Sequence, residues 1–188
     1  MKRLAFCMAL VLFSMFTDQA QVKNYSKTIH GQLEIQQNGR KLIPTLNTKM
    51  MTYCLGDRLS FDTDAIELQL TSNHDKTLHV YLIYYDVDEK AANKRNMETE
   101  KQYFIPIIHE NPDTKEYICL LYSTEALDVK RIVNAMNEAK GTMLQKMDLA
   151  LGDKMVPKKD IRFVMNEIEF SARTEKTVVP VIIEIVHQ

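Results

Sequence analysis

The sequence predicts an α+β fold: a mainly antiparallel β-sheet or sandwich with a two-helix insertion at about 128–151, ahead of the last two strands. Three observations carry this. Ile66, Leu68 and Leu70 alternate with Glu67, Gln69 and Thr71, the period of a half-buried strand. Apolar runs rich in β-branched and aromatic residues recur at 77–85 ("TLHVYLIYY"), 103–108 ("YFIPII"), 117–122 ("YICLLY") and 177–186 ("TVVPVIIEIV"). Between the third and fourth run, Leu127, Val129, Ile132, Val133 and Met136, then Met143, Leu144 and Met147, recur at helical spacing.

The chain opens "MKRLAFCMALVLFSMFTDQAQ". Lys2 and Arg3 precede an uncharged apolar run from Leu4 to Phe16, too short for a comfortable membrane span of about 20 residues but suited to a secretory signal. Cleavage after Ala20 would place Asp18 where a small residue is usual. An uncleaved anchor is the alternative, and Cys7 lies inside the apolar run rather than after it, against a lipid anchor. The expected organisation is a signal peptide at 1–20, an N-terminal lead with an edge hairpin at 21–54, and a β-rich domain at 55–188.

Within the lead, "QLEIQQ" at 32–37 alternates, Asn38-Gly39 is a hairpin-turn signal, and "RKLIPTL" returns as a strand that Pro44 confines to an edge. Residues 65–72 and 77–85, around the turn "SNHDK", read as an antiparallel hairpin. Residues 86–102 are charged and polar, a loop or loose helical turn. "HENPDTKE" at 109–116 is a turn leading into the 117–122 strand. The helical stripe follows, with Asp128 as N-cap and Leu127 and Ile132 placed as a hydrophobic staple. Gly141 interrupts it, and Thr142 caps a second helix ending near Gly152. The three methionines of the whole stripe, Met136, Met143 and Met147, suit core filling better than an adaptable binding face. "IRFVMNEIEFSA" at 161–172 and the run 177–186 are the closing strands, turned at Asn166-Glu167 or at 173–176. The run Val178–Val186 is apolar enough to be covered on both faces.

The net charge of −1 gives no electrostatic reason to expect nucleic acid or an anionic membrane surface. The five glycines form no nucleophile elbow, phosphate loop or dinucleotide turn. "DVDE" at 86–89 begins like a calcium loop, but Lys90, Ala91 and Met97 occupy its ligand, glycine and bidentate positions. Asp57, Asp62 and Asp64 read as an acidic turn. His30, His74, His79, His109 and His187 lack the spacing of a helical zinc site. Glu167/Glu169 and Asp86/Asp88 share strand faces at period two, without a sign of a cleft. Ser123, Glu125 and Asp128 sit close together in "STEALD", where capping accounts for them. Beyond the leader, Cys54 and Cys119 can be a disulfide, two buried thiols or a site nucleophile; their differing surroundings favour buried thiols. No catalytic, cofactor or metal residue is assigned.

"LQLTSNHDKTLHVYLIYYDVD", "YFIP", "EYICLLYSTEALDVKRIVNAM" and "IEFSARTEKTVVPVIIEIVH" together resemble the bacterial domain-of-unknown-function family numbered 4384, over roughly residues 55–188. The resemblance rests on a strand ending Leu-Tyr-Ser, a Leu-Asp helix start and a late Val-Pro strand. It implies an exported β-rich module and supplies no catalytic residues. In this chain the module follows only a short lead, which does not suit an accessory to a catalytic neighbour. The expected function is an exported binding or structural module. One alternative is a subunit of an envelope assembly pairing through an edge strand such as 32–46. The other is a hydrolase whose site gathers distant residues such as Cys119 or His109. Expected partners are an envelope protein or a glycan, with no nucleic acid and no membrane span after signal cleavage.

Overall fold

The computed structural model describes residues 27–49, 52–54, 65–71, 78–87, 92–97, 102–106, 115–165 and 167–186. Numbered in chain order, two six-stranded sheets and a helical pair form three layers. The first sheet runs β10 (Ile161–Phe163), β11 (Ile168–Thr174), β1 (Lys27–Gln37), β5 (Ala65–Thr71), β8 (Gln102–Pro106), with β2 (Arg40–Leu42) also on β1. The second runs β3 (Thr45–Asn47), β4 (Thr52–Cys54), β12 (Val178–Val186), β9 (Lys115–Ser123), β6 (His79–Asp86), β7 (Ala92–Met97). All described strand pairs are antiparallel except β4 on β12. Helices α1 (Val129–Glu138) and α2 (Met143–Leu151) precede the closing strands, as the α+β reading requires.

The second sheet is the middle layer, and its sequence shows why. Val80, Leu82 and Tyr84 of β6 and Ile118, Leu120 and Tyr122 of β9 pack toward the first sheet. Tyr81, Ile83 and Tyr85, with Cys119 and Leu121, pack on the opposite side against Val129, Ile132, Met136, Met143 and Met147 of the helices. Strands covered on both faces need apolar residues on both, which is what the buried runs at 80–85, 118–122 and 178–183 supply. The outer sheet has one wet face, and β1 accordingly alternates buried and partly exposed residues along its length.

This layering overturns the hairpin expected from 65–85. β5 pairs with β1 and β8, whereas β6 pairs with β7 and β9 in the other sheet. A half-polar strand and a wholly apolar one suit different layers, so the connection changes sheet. The expected single strand at 40–46 is likewise divided: Ile43 and Pro44 separate β2, in the outer sheet, from β3, in the middle one. The Asn38-Gly39 turn holds, with both residues at positive φ (52° and 71°) as a two-residue β1–β2 hairpin demands. β1 itself is interior, flanked by β11 and β2 on one side and β5 on the other, so 32–37 is not an edge. Residues 86–102, read as loop, contain β7, which the register on β6 recruits despite its polar sequence. The piece 161–172 is two strands, β10 and β11, paired antiparallel with each other; β11 and β12 then belong to different sheets. β1 pairs with β11, and β4 with β12, so strands on either side of residue 54 share sheets.

Pro180 lies inside β12, between two sheet neighbours. The Val178 carbonyl accepts from the Val156 N–H (2.8 Å), so even-numbered residues of β12 turn their backbone polar groups away from β9. On that side β4 reaches only Ile182–Glu184, and the bridge to Met155 stops at Val178. The missing proline N–H therefore falls between two neighbours and breaks no ladder bond.

Gly31 of β1 faces Phe170 on β11. A side chain there would begin 2.7 Å from both Phe170 Cε1 and Tyr122 Cε1. Its absence lets Tyr122 of the middle sheet meet Phe170 edge-on, ring centroids 4.7 Å apart, in the centre of the sandwich. Among the described residues, no helix is long and apolar enough to cross a membrane.

Candidate functional site

Among the described residues, the larger of two clefts lies where the α1–α2 turn overhangs the ends of β6 and β9. α1 ends at Ala139, and Gly141 takes φ 110°, beyond the reach of most side chains. Thr142 then starts α2 with a capping box: its hydroxyl accepts from the Gln145 N–H (3.3 Å) while Gln145 Oε1 accepts from the Thr142 N–H (2.8 Å). One turn on, Lys146 reaches back. Its Nζ donates to the carbonyls of Ala139 (2.6 Å) and Met136 (3.3 Å) and to Tyr85 Oη (3.4 Å), and lies 5.4 Å from the Tyr85 ring centroid. The otherwise unsatisfied carbonyls of α1 are thereby closed by a cation, and the hairpin is fastened to β6.

Below this clamp a cleft of about 460 Å³ opens, lined further by Val87, Lys115 and Tyr117 and, from the end of α1 and the turn, by Asn137, Glu138 and Lys140. Lys115 Nζ donates to Glu184 Oε1 across the strands (2.9 Å), and that bond, more than the carboxylate's charge, raises the lysine's pKa. Burial first, then the Glu184 charge, raises the Tyr117 hydroxyl. The Tyr117 phenol thus stays protonated near neutral pH, and the Lys115 and Lys146 amines are both engaged by oxygen acceptors, while Glu138 and Lys140 add exposed charges to the lining.

The residues singled out in the sequence lie elsewhere. Ser123, Glu125 and Asp128 share one turn, where the Ser123 and Asp128 side chains serve the backbone. Ser123 Oγ donates to the Glu125 carbonyl (2.7 Å) and accepts from its N–H (3.1 Å); Asp128 caps α1 by accepting from the Arg131 N–H (3.1 Å). Glu125 pairs with Lys154 at 3.6 Å. His79 is the cross-strand partner of Ser123, a proximity the sequence concealed. Ser123, however, is buried with its hydroxyl proton committed, and His79 stacks on Tyr81 at 6.3 Å.

Cys54 and Cys119 are both free. Their registers on β12, opposite Glu184 and Ile182, put them two strands apart and two residues out of step, about 12 Å by sheet spacing and beyond disulfide reach. Cys54 is partly exposed. Cys119 is buried, and burial drives its thiol pKa far up, opposite to what a nucleophile needs. His30 lies 3.7 Å from Glu169 on the outer sheet, and Glu167 is exposed in the β10–β11 turn. Asp86 ends β6, on the same face as its cross-strand partner, buried Glu116. Asp57, Asp62, Asp64, His74, Asp88, His109 and His187, with the 1–20 leader, fall outside the described residues. Among the described residues no group of three His, Cys, Asp or Glu is placed to hold a metal.

Tyr85, Lys115, Tyr117 and Lys146 were not legible as a group. They come from three elements, and no spacing links them before the strand register is known. Comparison with family models, with curated proteins and with solved structures finds no match for this chain.

Proposed function

We propose that this chain is an exported binding or structural module whose ligand or partner is taken at the cleft beneath the α1–α2 turn. The observation that carries the reading is the preformed character of that cleft. Its clamp and its Lys115–Glu184 wall are bonded in place, so little ordering is required on binding. The exported, bacterial character rests on the N-terminal pattern and on the likeness to the family numbered 4384. The hydrolase alternative has less support, since Cys119 is buried with a raised pKa and Ser123 is committed to its turn. Edge pairing has less support too: β1 is interior, β2, β3 and β10 are three residues each, β7 carries Lys94 and Arg95, and β8 ends in Pro106.

The test is photocrosslinking in the native host from Val87 at the cleft mouth, with Leu149 on the outer face of α2 as the control position. A discrete adduct from Val87 and none from Leu149 is expected. Equal labelling from both positions refutes the cleft as the binding face. N-terminal sequencing of the chain recovered outside the cytoplasm tests export: recovery only inside, with Met1 or Lys2 first, refutes it.

A further inference from the structure

We infer that the cleft beneath the α1–α2 turn is a site for a neutral carbohydrate, an inference that rests on the binding-module reading above. Three features of the walls select the class. The first is charge. Lys115 is neutralised by Glu184, Lys146 spends its donors on two helix carbonyls and a phenol, and the exposed Glu138 and Lys140 bring one charge of each sign to the lining. A phosphate or carboxylate ligand would meet the Glu138 carboxylate as well as Lys140, and to gain a second cation it would have to break the Lys115 or Lys146 arrangement, whose charge-assisted bonds are the strong ones. The second is surface. Tyr117, half-buried, and Val87, 44% exposed, give an aromatic and apolar wall at the mouth. A sugar ring presents apolar C–H faces to such a wall, and tyrosine offers it a polar edge as well. The third is hydrogen bonding. No bond from the Tyr117 hydroxyl is formed to a described residue, and its raised pKa keeps it a donor through the neutral range. Hydroxyl-rich ligands meet donors and acceptors of this kind without bringing charge. The volume, about 460 Å³, lies within the range of about 300–1,000 Å³ usual for small-molecule sites.

An extended peptide fits less well. It would look for an unpaired strand edge, whereas the backbone here is a helix end closed by Lys146 and a turn closed by a capping box.

The test is isothermal titration of the purified protein with maltotetraose, cellotetraose and tetra-N-acetylchitotetraose, and with inorganic phosphate as the charged comparison. At least one tetrasaccharide is expected to bind at micromolar to low-millimolar concentration. Tyr117→Ala should weaken it at least tenfold, and Tyr117→Phe only a few-fold, because the ring remains. Tyr117 also contacts the core, so Val87→Asp serves as the second variant; it sits at an exposed position and should weaken binding at least tenfold without loss of fold. Saccharide binding left unchanged by Val87→Asp and Tyr117→Ala overturns the site while leaving a binding module in place. No saccharide binding, or phosphate binding alone, overturns the ligand class. A Val87 crosslink to a protein under those conditions would show that the binding-module reading stands without the carbohydrate. Absence of both would remove both.

Discussion

Replacing Gly31 by alanine should destabilise the protein by about 1–3 kcal/mol, the range for forcing extra atoms into a packed core. The added Cβ would sit 2.7 Å from Phe170 Cε1 and Tyr122 Cε1 and 2.9 Å from Phe170 Cζ, against an ordinary contact of 3.4 Å or more. At least one ring must move by about 0.7 Å. Neither has room, since both are 1% exposed and already meet edge-on. Opposing this, alanine in a strand costs less chain entropy than glycine, a gain of about 0.5–1 kcal/mol. The steric term is the larger, so the net effect is a loss. Urea unfolding followed by far-ultraviolet circular dichroism would measure it, with a lowered midpoint and an unchanged slope as the expected result. Phe170→Leu paired with Gly31→Ala should lose less than the sum of the two single changes, because the smaller side chain vacates the contested space. A Gly31→Ala protein as stable as the parent would show that the two sheets can part at this point, and the argument from close approach would fail.

Alkaline pH should destabilise the fold through Cys119 and Tyr122. Both are buried, and burial raises their pKa far above the ordinary 9.0 and 10.0. The folded state then holds protons that the unfolded state releases. Their contribution is complete below those ordinary values and is lost as pH rises toward the folded ones, by about 1.4 kcal/mol per pH unit for each group. Urea midpoints from pH 8 to 11 would show the decline steepening above about pH 10. Lys146→Met keeps the side chain's length but removes the cation from the α1 carbonyls, and should cost about 1–2 kcal/mol in thermal or urea unfolding. Asp128→Ala removes the N-cap of α1 and should cost about 1 kcal/mol by the same assays. A thiol reagent on the native protein should label Cys54 and leave Cys119 until the protein unfolds, with mass spectrometry counting the adducts.

The elements most legible in the sequence were those whose signals are local. Asp128, Gly141, Thr142 and Gly152 mark the helix ends at positions fixed by backbone hydrogen bonding within a few residues. Asn38-Gly39 fixed a hairpin for the same reason. Strand pairing was less legible because it is a choice among distant partners. β5 and β6 are neighbours in sequence but not in a sheet, and only the difference in their apolar pattern hints at it. β7 carries almost no strand signal; its place is set by the ladder β6 offers. The cleft depends on that long-range register twice over. Lys115 and Tyr117 reach it through the pairing of β9 with β12 and β6, and Lys146 through the packing of α2 across the middle sheet. A site assembled in this way leaves no motif to read.

The titrating groups bear on function in a way no single residue does. A catalytic acid, base or nucleophile is useful when its pKa is drawn toward the working pH. Every shift resolved among the described residues runs the other way. Burial raises the phenols of Tyr53, Tyr117 and Tyr122 and the thiol of Cys119; a carboxylate partner raises Lys115; Gln36, then Lys41, lowers Glu34. Each group is thereby held more firmly in the form it already has at neutral pH. Around neutrality the Tyr117 hydroxyl therefore stays a donor and the Lys115 amine stays a paired cation. Constant hydrogen-bonding character across the neutral range suits the binding cleft proposed above.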